Sequence, residues 1–427
     1  METITRRGVV FEACAGAGGL SLGLEQGGFD IKVSFDIEGP HALVHQRNFS
    51  YGRSLQADLT RITGTDLRKA SGHGDDVDLL GLGRVPDALF GGPPCQGVSS
   101  IGRRDLNDPR NQLMVHFQRL VGEVNPRYAV MENVPGLLAP QFEPFLDQLL
   151  EDYHRIGYNV VTPVRALDAR LFGVPQHRER VFLLIHRFGE VAPQYPQATH
   201  ATAKDLILRQ TPTVGEALAG LPEADHFEAL LTSDEVDATG HWGDHSLYGL
   251  AMRGLANDPD DLSYRRIWNP SLLTNSRRVR HSPETVARYA ATLAGGMCEG
   301  HNVMRLHPQR QAPTLRAGSV SRQYDGKRVS AQTAARPIHP VRDRVITPRE
   351  GARLHGIPDW MRLHATTMGA MREIGNSVPP LLGRAIAHEI RKAAGLNPGL
   401  PSDIIALGPD ELLRTTEKTA ARLLSAA

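Results

Sequence analysis

Gly8-Val9-Val10-Phe11-Glu12-Ala13-Cys14-Ala15-Gly16-Ala17-Gly18-Gly19-Leu20-Ser21-Leu22-Gly23-Leu24-Glu25 decides the fold. Its first six residues read as a buried strand, the next six as a Gly-rich turn, and the rest as the opening of a helix. A second strand, Ile31 to Asp36, and a helix from about Pro40 to Asn48 follow. The alternation continues. Asp87 to Phe90, Arg127 to Glu132 and Arg180 to Ile185 read as strands, and Asn111 to Val124 and Phe142 to Ile156 as helices. Short apolar strands alternating with helices predict an α/β fold with a doubly wound, mostly parallel sheet.

From about residue 190 the alternation is lost. It returns at Thr347-Pro348-Arg349-Glu350, a helix start with Thr as cap and Glu at the third position. A last long helix runs from Leu381 to Ala394. The expected organisation is a sheet domain over 1–194, an insertion over 195–340, a return to the sheet domain over 341–395, and a helical tail over 396–427.

Composition narrows the class. Of 427 residues 41% are hydrophobic and 22% charged, as in ordinary globular chains. No apolar run reaches the roughly 20 residues of a membrane helix, so no membrane partner is expected. Three cysteines, with no apolar leader after Met1, point to a reducing cytoplasm and no disulfide framework. The net charge of +1 conceals an asymmetry. Residues 265–349 hold sixteen Lys/Arg, fifteen of them Arg, against four acids, and an acidic stretch with Glu223, Asp225, Asp234 and Glu235 precedes them. A segregated Arg-rich region is the expected footprint of a polyanion, with a merely solvated basic face as the alternative.

Two turns carry the chemistry. In Gly91-Gly92-Pro93-Pro94-Cys95-Gln96-Gly97 a lone cysteine follows a strand in a stiff turn. Open α/β sheets place ligands at such strand ends, which makes Cys95 a nucleophile candidate; the other reading is a buried small hydrophobe. The turn Cys14 to Gly19 lacks the three spaced glycines that cradle a pyrophosphate. Asp36 ends the second strand, where a carboxylate binds ribose hydroxyls, and Asp58 could accept from an adenine amino group. Together they describe a nucleoside cofactor without a pyrophosphate, which suits S-adenosylmethionine.

These motifs, in this order, resemble those of the bacterial DNA (cytosine-5) methyltransferases. The resemblance rests on Cys14 to Gly19, Gly91 to Gly97, Asp108-Pro109-Arg110, Glu132-Asn133-Val134, Gln176-His177-Arg178-Glu179-Arg180, Arg344 to Glu350, and Gly375-Asn376-Ser377-Val378. It covers roughly 1–190 and 340–395. The resemblance implies methyl transfer from S-adenosylmethionine, leaving S-adenosylhomocysteine, to carbon 5 of a flipped-out cytosine. It makes Cys95 the thiolate that attacks carbon 6, Glu132 the acid at ring nitrogen 3, Arg180 the ligand of the 2-oxo group, and Arg178 a brace for the phosphate or the nucleophile loop. It implies cofactor contacts from Cys14, Ala15, Gly16, Gly18, Gly19, Asp36, Ile37, Asp58, Leu59, Pro93, Asn376 and Ser377. It makes 195–340 the target-recognition domain, with DNA contacts from Gln96, Ser99, Arg277, Arg278, Arg280, Thr314 and Arg316.

Two departures shorten cofactor contacts: the family usually has an aromatic residue where Cys14 stands and Glu where Asp36 stands. Cys14 is therefore read as a packing residue rather than a second nucleophile. His281, His301, His307 and His339 lack metal-ligand spacing, and no metal is expected. The expected partners are double-stranded DNA and a cognate restriction or phage-defence system, with the enzyme a monomer. An RNA cytosine methyltransferase of the same architecture is the first alternative. A non-catalytic DNA-binding homologue is the second, but such a chain should have lost Cys95 or Glu132. A dinucleotide-dependent oxidoreductase fails on the glycine spacing.

Overall fold

The computed structural model describes residues 6–72, 86–94, 112–300, 302–317, 322–324, 327–329 and 335–425. Eight strands form the main sheet: β1 (Gly8–Ala13), β2 (Phe29–Asp36), β3 (Arg53–Gln56), β4 (Ala88–Gly91), β5 (Tyr128–Asn133), β6 (Tyr158–Val160), β7 (Arg165–Asp168) and β8 (Glu179–Arg187). Their order is β3-β2-β1-β4-β5-β8-β6, with β7 also on β8. The first five run parallel, and β8 pairs antiparallel with β5, β6 and β7. The sheet is therefore mostly parallel, as the alternation predicts.

Alternating side chains feed two cores. Phe11, Leu89, Met131 and Leu183 face α4 (Gln112–Val124) and α5 (Glu143–Arg155), meeting Phe117, Leu120 and Leu149. Val10, Phe90, Val130 and Leu184 face the other side and meet Leu20 and Leu24 of α1 (Gly19–Gln26). Strands buried on both faces have no polar side to show, which is why they read as continuous apolar runs. Between β2 and β3 lies α2 (Gly39–Asn48), and α3 (Gly64–Ala70) follows β3.

The described residues of 195–340 add nothing to the main sheet. They carry short helices, Val214–Leu218, Leu247–Met252 and Pro283–Ala291, and two-residue and three-residue strands. Their own apolar clusters are small, such as Ala224, Leu230, Ala238 and Leu273. A larger cluster joins Val214, Leu306 and Leu315 to Leu22, Val44 and Phe49, and to α6 (Pro348–Leu354) and α7 (Thr367–Asn376).

The chain then returns as α8 (Pro380–Ala393), packed on α1. The two helices touch backbone to backbone. A Cβ at Gly23 would lie 2.4 Å from the Pro380 carbonyl and 2.7 Å from the Arg384 nitrogen. This approach carries Asn376 and Ser377 over the start of α1. Residues 396–427, expected to be helical, hold the strand Ile404–Ala406 as well as α9 (Glu417–Ser425). The β-branched pair Ile404-Ile405 favours the strand, which pairs in parallel with Arg265–Ile267.

Candidate active site

Glu132 sits near the end of β5, beside the turn that follows β4. Its Oε1 lies 2.9 Å from Arg180 Nε, and both side chains are about one-eighth exposed. The antiparallel register of β5 and β8, which sets Glu132 opposite Phe182 and Asn133 opposite Val181, brings the two together. Burial pushes the Glu132 carboxyl up, while Arg180 and Arg178 pull it back; the net direction is upward. Burial lowers Arg180 against the pull of Glu132.

Gly92 is required by this carboxyl. A Cβ there would meet Glu132 Oε2 at 2.8 Å. Asn133 clamps the same turn, donating from Nδ2 to the Pro93 carbonyl at 3.3 Å. Cys95, Gln96 and Ser99 lie outside the described residues, which resume at residue 112. What is described is the approach to Cys95: a turn fitted against the Glu132 carboxyl as far as Pro94.

Arg178 and Arg180 make different hydrogen bonds, Arg180 to Glu132 and Arg178 to the backbone. Arg178 lies just before β8 and is 1% exposed. Its guanidinium donates to the carbonyls of Leu315 at 3.2 Å and Gly375 at 2.8 Å. It ties the end of the recognition stretch to α7 and reaches no surface.

The cofactor loop follows β1. Cys14, Gly16 and Gly18 take left-handed conformations, with φ of 55°, 56° and 97°. Gly16 N donates to Asp36 Oδ2 at 3.0 Å, fixing the loop to the end of β2. The other Asp36 oxygen accepts from Glu38 N at 2.9 Å. A Cβ at Gly16 would meet nothing within 4 Å, so there is open room beside the loop. At Gly19 a Cβ would fall 1.7 Å from Ser377 Oγ. Ala15 and Leu59 are buried, Asn376 is exposed, and Ile37 is 53% exposed. Asp58 caps its own turn through Thr60 N and Oγ1. The open room beside Gly16 thus lies next to the Asp36 carboxylate that holds the loop.

Burial and the nearby carboxylates of Asp36, Glu12 and Asp58 push the Cys14 thiol well up, which keeps it protonated and unreactive. Beneath the loop lies a polar chain that sequence patterns do not reveal. Ser21 Oγ donates to Glu12 Oε2 at 2.6 Å and lies 2.8 Å from His45 Nε2, while His45 Nδ1 lies 2.8 Å from Ser54 Oγ. Burial raises Glu12 to about 8 and lowers His45 to about 3, so both are neutral near pH 7.

Part of the Arg-rich stretch is tied up in ion pairs. Glu223 takes Arg342 at 2.6 Å and Arg344 at 2.9 Å, and Asp225 takes Arg278 at 2.9 Å. Arg344 also holds Glu350 at 2.8 Å. Arg266 is sealed against Glu25 at 2.7 Å. Arg349 is 1% exposed and donates to the carbonyls of Thr274, Pro358 and Met361. Glu223 and Asp225 of the acidic stretch pair with the basic one, whereas Asp234 and Glu235 pair with Arg362 and Arg414 beyond it. Of the residues expected on DNA, Arg277, Arg280 and Arg316 are exposed, Arg278 is half-buried in its ion pair, and Thr314 donates to the His177 carbonyl at 2.6 Å.

Asp168, His177 and Glu179 offer ligand atoms within 4.8 Å of one another. Arg170 already holds Asp168 through two bonds of 2.8 and 2.6 Å, which leaves the group poorly suited to a cation.

A sequence model of the C-5 cytosine-specific DNA methylase family matches residues 9–392. The chain is 40% identical over 418 residues to the type II methyltransferase M.XorII of Xanthomonas oryzae pv. oryzae, covering 98% of this chain and 92% of that protein. It is 30% identical to M.DdeI of Desulfomicrobium norvegicum, covering 89% and 88%. A solved protein described as a prophage-encoded DNA modification methyltransferase (E. coli) superposes with a TM-score of 0.67 at 26% identity, over 90% of this chain and 98% of that one. By motif order, sheet and sequence, this chain belongs to the C-5 cytosine-specific DNA methylase family.

Proposed function

We propose that this chain methylates carbon 5 of a flipped-out cytosine in duplex DNA, through a covalent bond between Cys95 and carbon 6. The observation that carries the reading is the Glu132–Arg180 pair, set in a family member against the turn that leads to Cys95. S-adenosylmethionine would supply an electrophilic methyl group. The room beside Gly16, the Asp36 carboxylate and exposed Ile37 suit its nucleoside. Asp58, Leu59, Pro93, Asn376 and Ser377 would border it.

Cys95 acts as thiolate and adds to carbon 6, which sends the ring electrons toward carbon 5. Glu132 holds a proton at ring nitrogen 3, so negative charge does not accumulate in the ring. Its raised pKa favours the protonated form that this task requires. Arg180 steadies Glu132 and donates to the 2-oxo group. After methylation carbon 5 loses its proton, the bond to carbon 6 breaks, and Cys95 leaves. Arg178 acts at a distance, as the brace between Leu315 and Gly375. The type II methyltransferases among the relatives support a cognate restriction system as partner; the enzyme would act as a monomer on DNA, in a bacterial cytoplasm.

Bisulfite sequencing of DNA from cells expressing the protein tests the reading. Methylcytosine at one recurring sequence is expected. Unmethylated DNA, or methylation confined to RNA, overturns it.

A further inference from the structure

Gln176, just ahead of β8, is fully buried and uses its whole amide. Its Oε1 accepts from Leu315 N at 3.1 Å, and its Nε2 lies 3.1 Å from His355 Nδ1. His355, directly after α6, is also fully buried, and its Nε2 lies 3.1 Å from the Ser377 carbonyl. The bonding pattern fixes the tautomer. Gln176 can offer His355 only its NH2, because its oxygen is taken by Leu315. Nδ1 must therefore accept, and Nε2 must carry the hydrogen that Ser377 receives. Burial, with Arg178 and Arg180 nearby, holds the imidazole neutral, as this pattern needs.

The chain Leu315–Gln176–His355–Ser377 starts on the recognition stretch and ends over the cofactor loop. Ser377 Oγ occupies the place a Gly19 side chain would take. Gly375 and Ala317 also touch through their backbones, since a Cβ at 375 would lie 2.2 Å from Ala317 N. Leu315 is therefore linked to Ser377 by three consecutive direct contacts of 3.1 Å.

We infer that His355 is a positioning residue that couples the seating of DNA on the recognition stretch to the cofactor loop, so that each ligand tightens the other. This rests on the function proposed above and adds a linkage between its two sites, which must be reciprocal. His355 touches neither ligand. Its effect is on the ratio of affinities, whereas a general packing role would weaken both ligands without changing that ratio.

The test is calorimetry with S-adenosylhomocysteine, on the full chain, with and without a duplex carrying the sequence found by bisulfite analysis. The wild type should bind S-adenosylhomocysteine about 5- to 150-fold more tightly with DNA present. His355→Met, which fills the space without the bonds, should lose that ratio to within about twofold while its affinity in the absence of DNA changes less than about threefold. His355→Gln, whose amide supplies one acceptor and one donor, should restore it. A wild-type ratio near one overturns the inference, as does a His355→Met protein that keeps the wild-type ratio. If His355→Met unfolds, a His355→Gln protein that folds but lacks the ratio overturns it too. A wild type that methylates DNA but fails these tests loses only the coupling. One that neither methylates nor binds S-adenosylhomocysteine loses the proposed function as well.

Discussion

The sheet half and the recognition insert are held together by different forces. Two clusters of buried apolar side chains sandwich the sheet. The insert has only small apolar clusters of its own; it joins the rest through a shared cluster and through ion pairs, with Glu223 and Asp225 bound to Arg344 of the returning segment. An apolar sandwich fixes strand ends closely, which suits groups that must meet a reacting ring. Ion pairs are directional and depend on partners far apart in the chain, so they hold an irregular surface in shape without demanding a repeating pattern. On the proposed function, chemistry would sit on the first region and the choice of sequence on the second.

Substitutions should separate the two roles, and the largest effects belong to the sheet half. Cys95→Ser should cut methylation by about 10³-fold or more, and Glu132→Gln should cut kcat by about 10²- to 10⁴-fold. DNA affinity measured by filter binding should barely move in either variant. If Glu132→Gln instead weakens DNA binding and spares kcat, the division of labour fails. Arg344→Ala acts on the other side. It strands buried Glu350 and partly buried Glu223, and should cost about 3–5 kcal/mol in a urea melt. An unchanged midpoint would show that the insert does not rest on this network.

The two regions should also respond to pH with opposite signs. Glu12 is raised to about 8 by burial. Its contribution is complete below the ordinary carboxylate range and is lost as pH rises through about 8. Glu223 is pushed up by burial but pulled further down by Arg344 and Arg342, to about 2. Its contribution is complete above the ordinary range and is lost as pH falls toward about 2. Hydrogen exchange should show β1 and α1 loosening on the alkaline side, and residues 342–344 on the acid side. Glu12→Gln should abolish the first loss alone. The smallest effect is expected at an exposed arginine: Arg280→Ala should lower the salt slope of DNA binding by about one, and no change in slope would take Arg280 off the phosphate backbone.

Much of this was legible in the sequence, but unevenly. The strands β1, β4, β5 and β8 stood out because burial on both faces leaves unbroken apolar runs. The turn before Cys95 and Glu132-Asn133 stood out because their residue types are unusual together. The charged stretches were legible as charge and misleading as surface. Glu223 and Arg344 are 121 residues apart, and no local pattern announces their pairing. Arg178 was read as a brace, and its hydrogen bonds to the carbonyls of Leu315 and Gly375, 137 and 197 residues away, have no local signature. The bond between Gln176 and His355 spans 179 residues and depends on how α6 is set beside β8. The strand at Ile404–Ala406 pairs with Arg265–Ile267, a partner far upstream that no local pattern announces.

The contact between Gly375 and Ala317 has a consequence for how such an enzyme changes its target. Where two backbones meet with no room for a side chain, the joint behaves as a fixed splice point. A side chain at Gly375 would meet the backbone of Arg316 and Ala317, so this exit of the insert has one place to dock. On the proposed function, changes in the reader upstream of Leu315 would have to keep that docking distance.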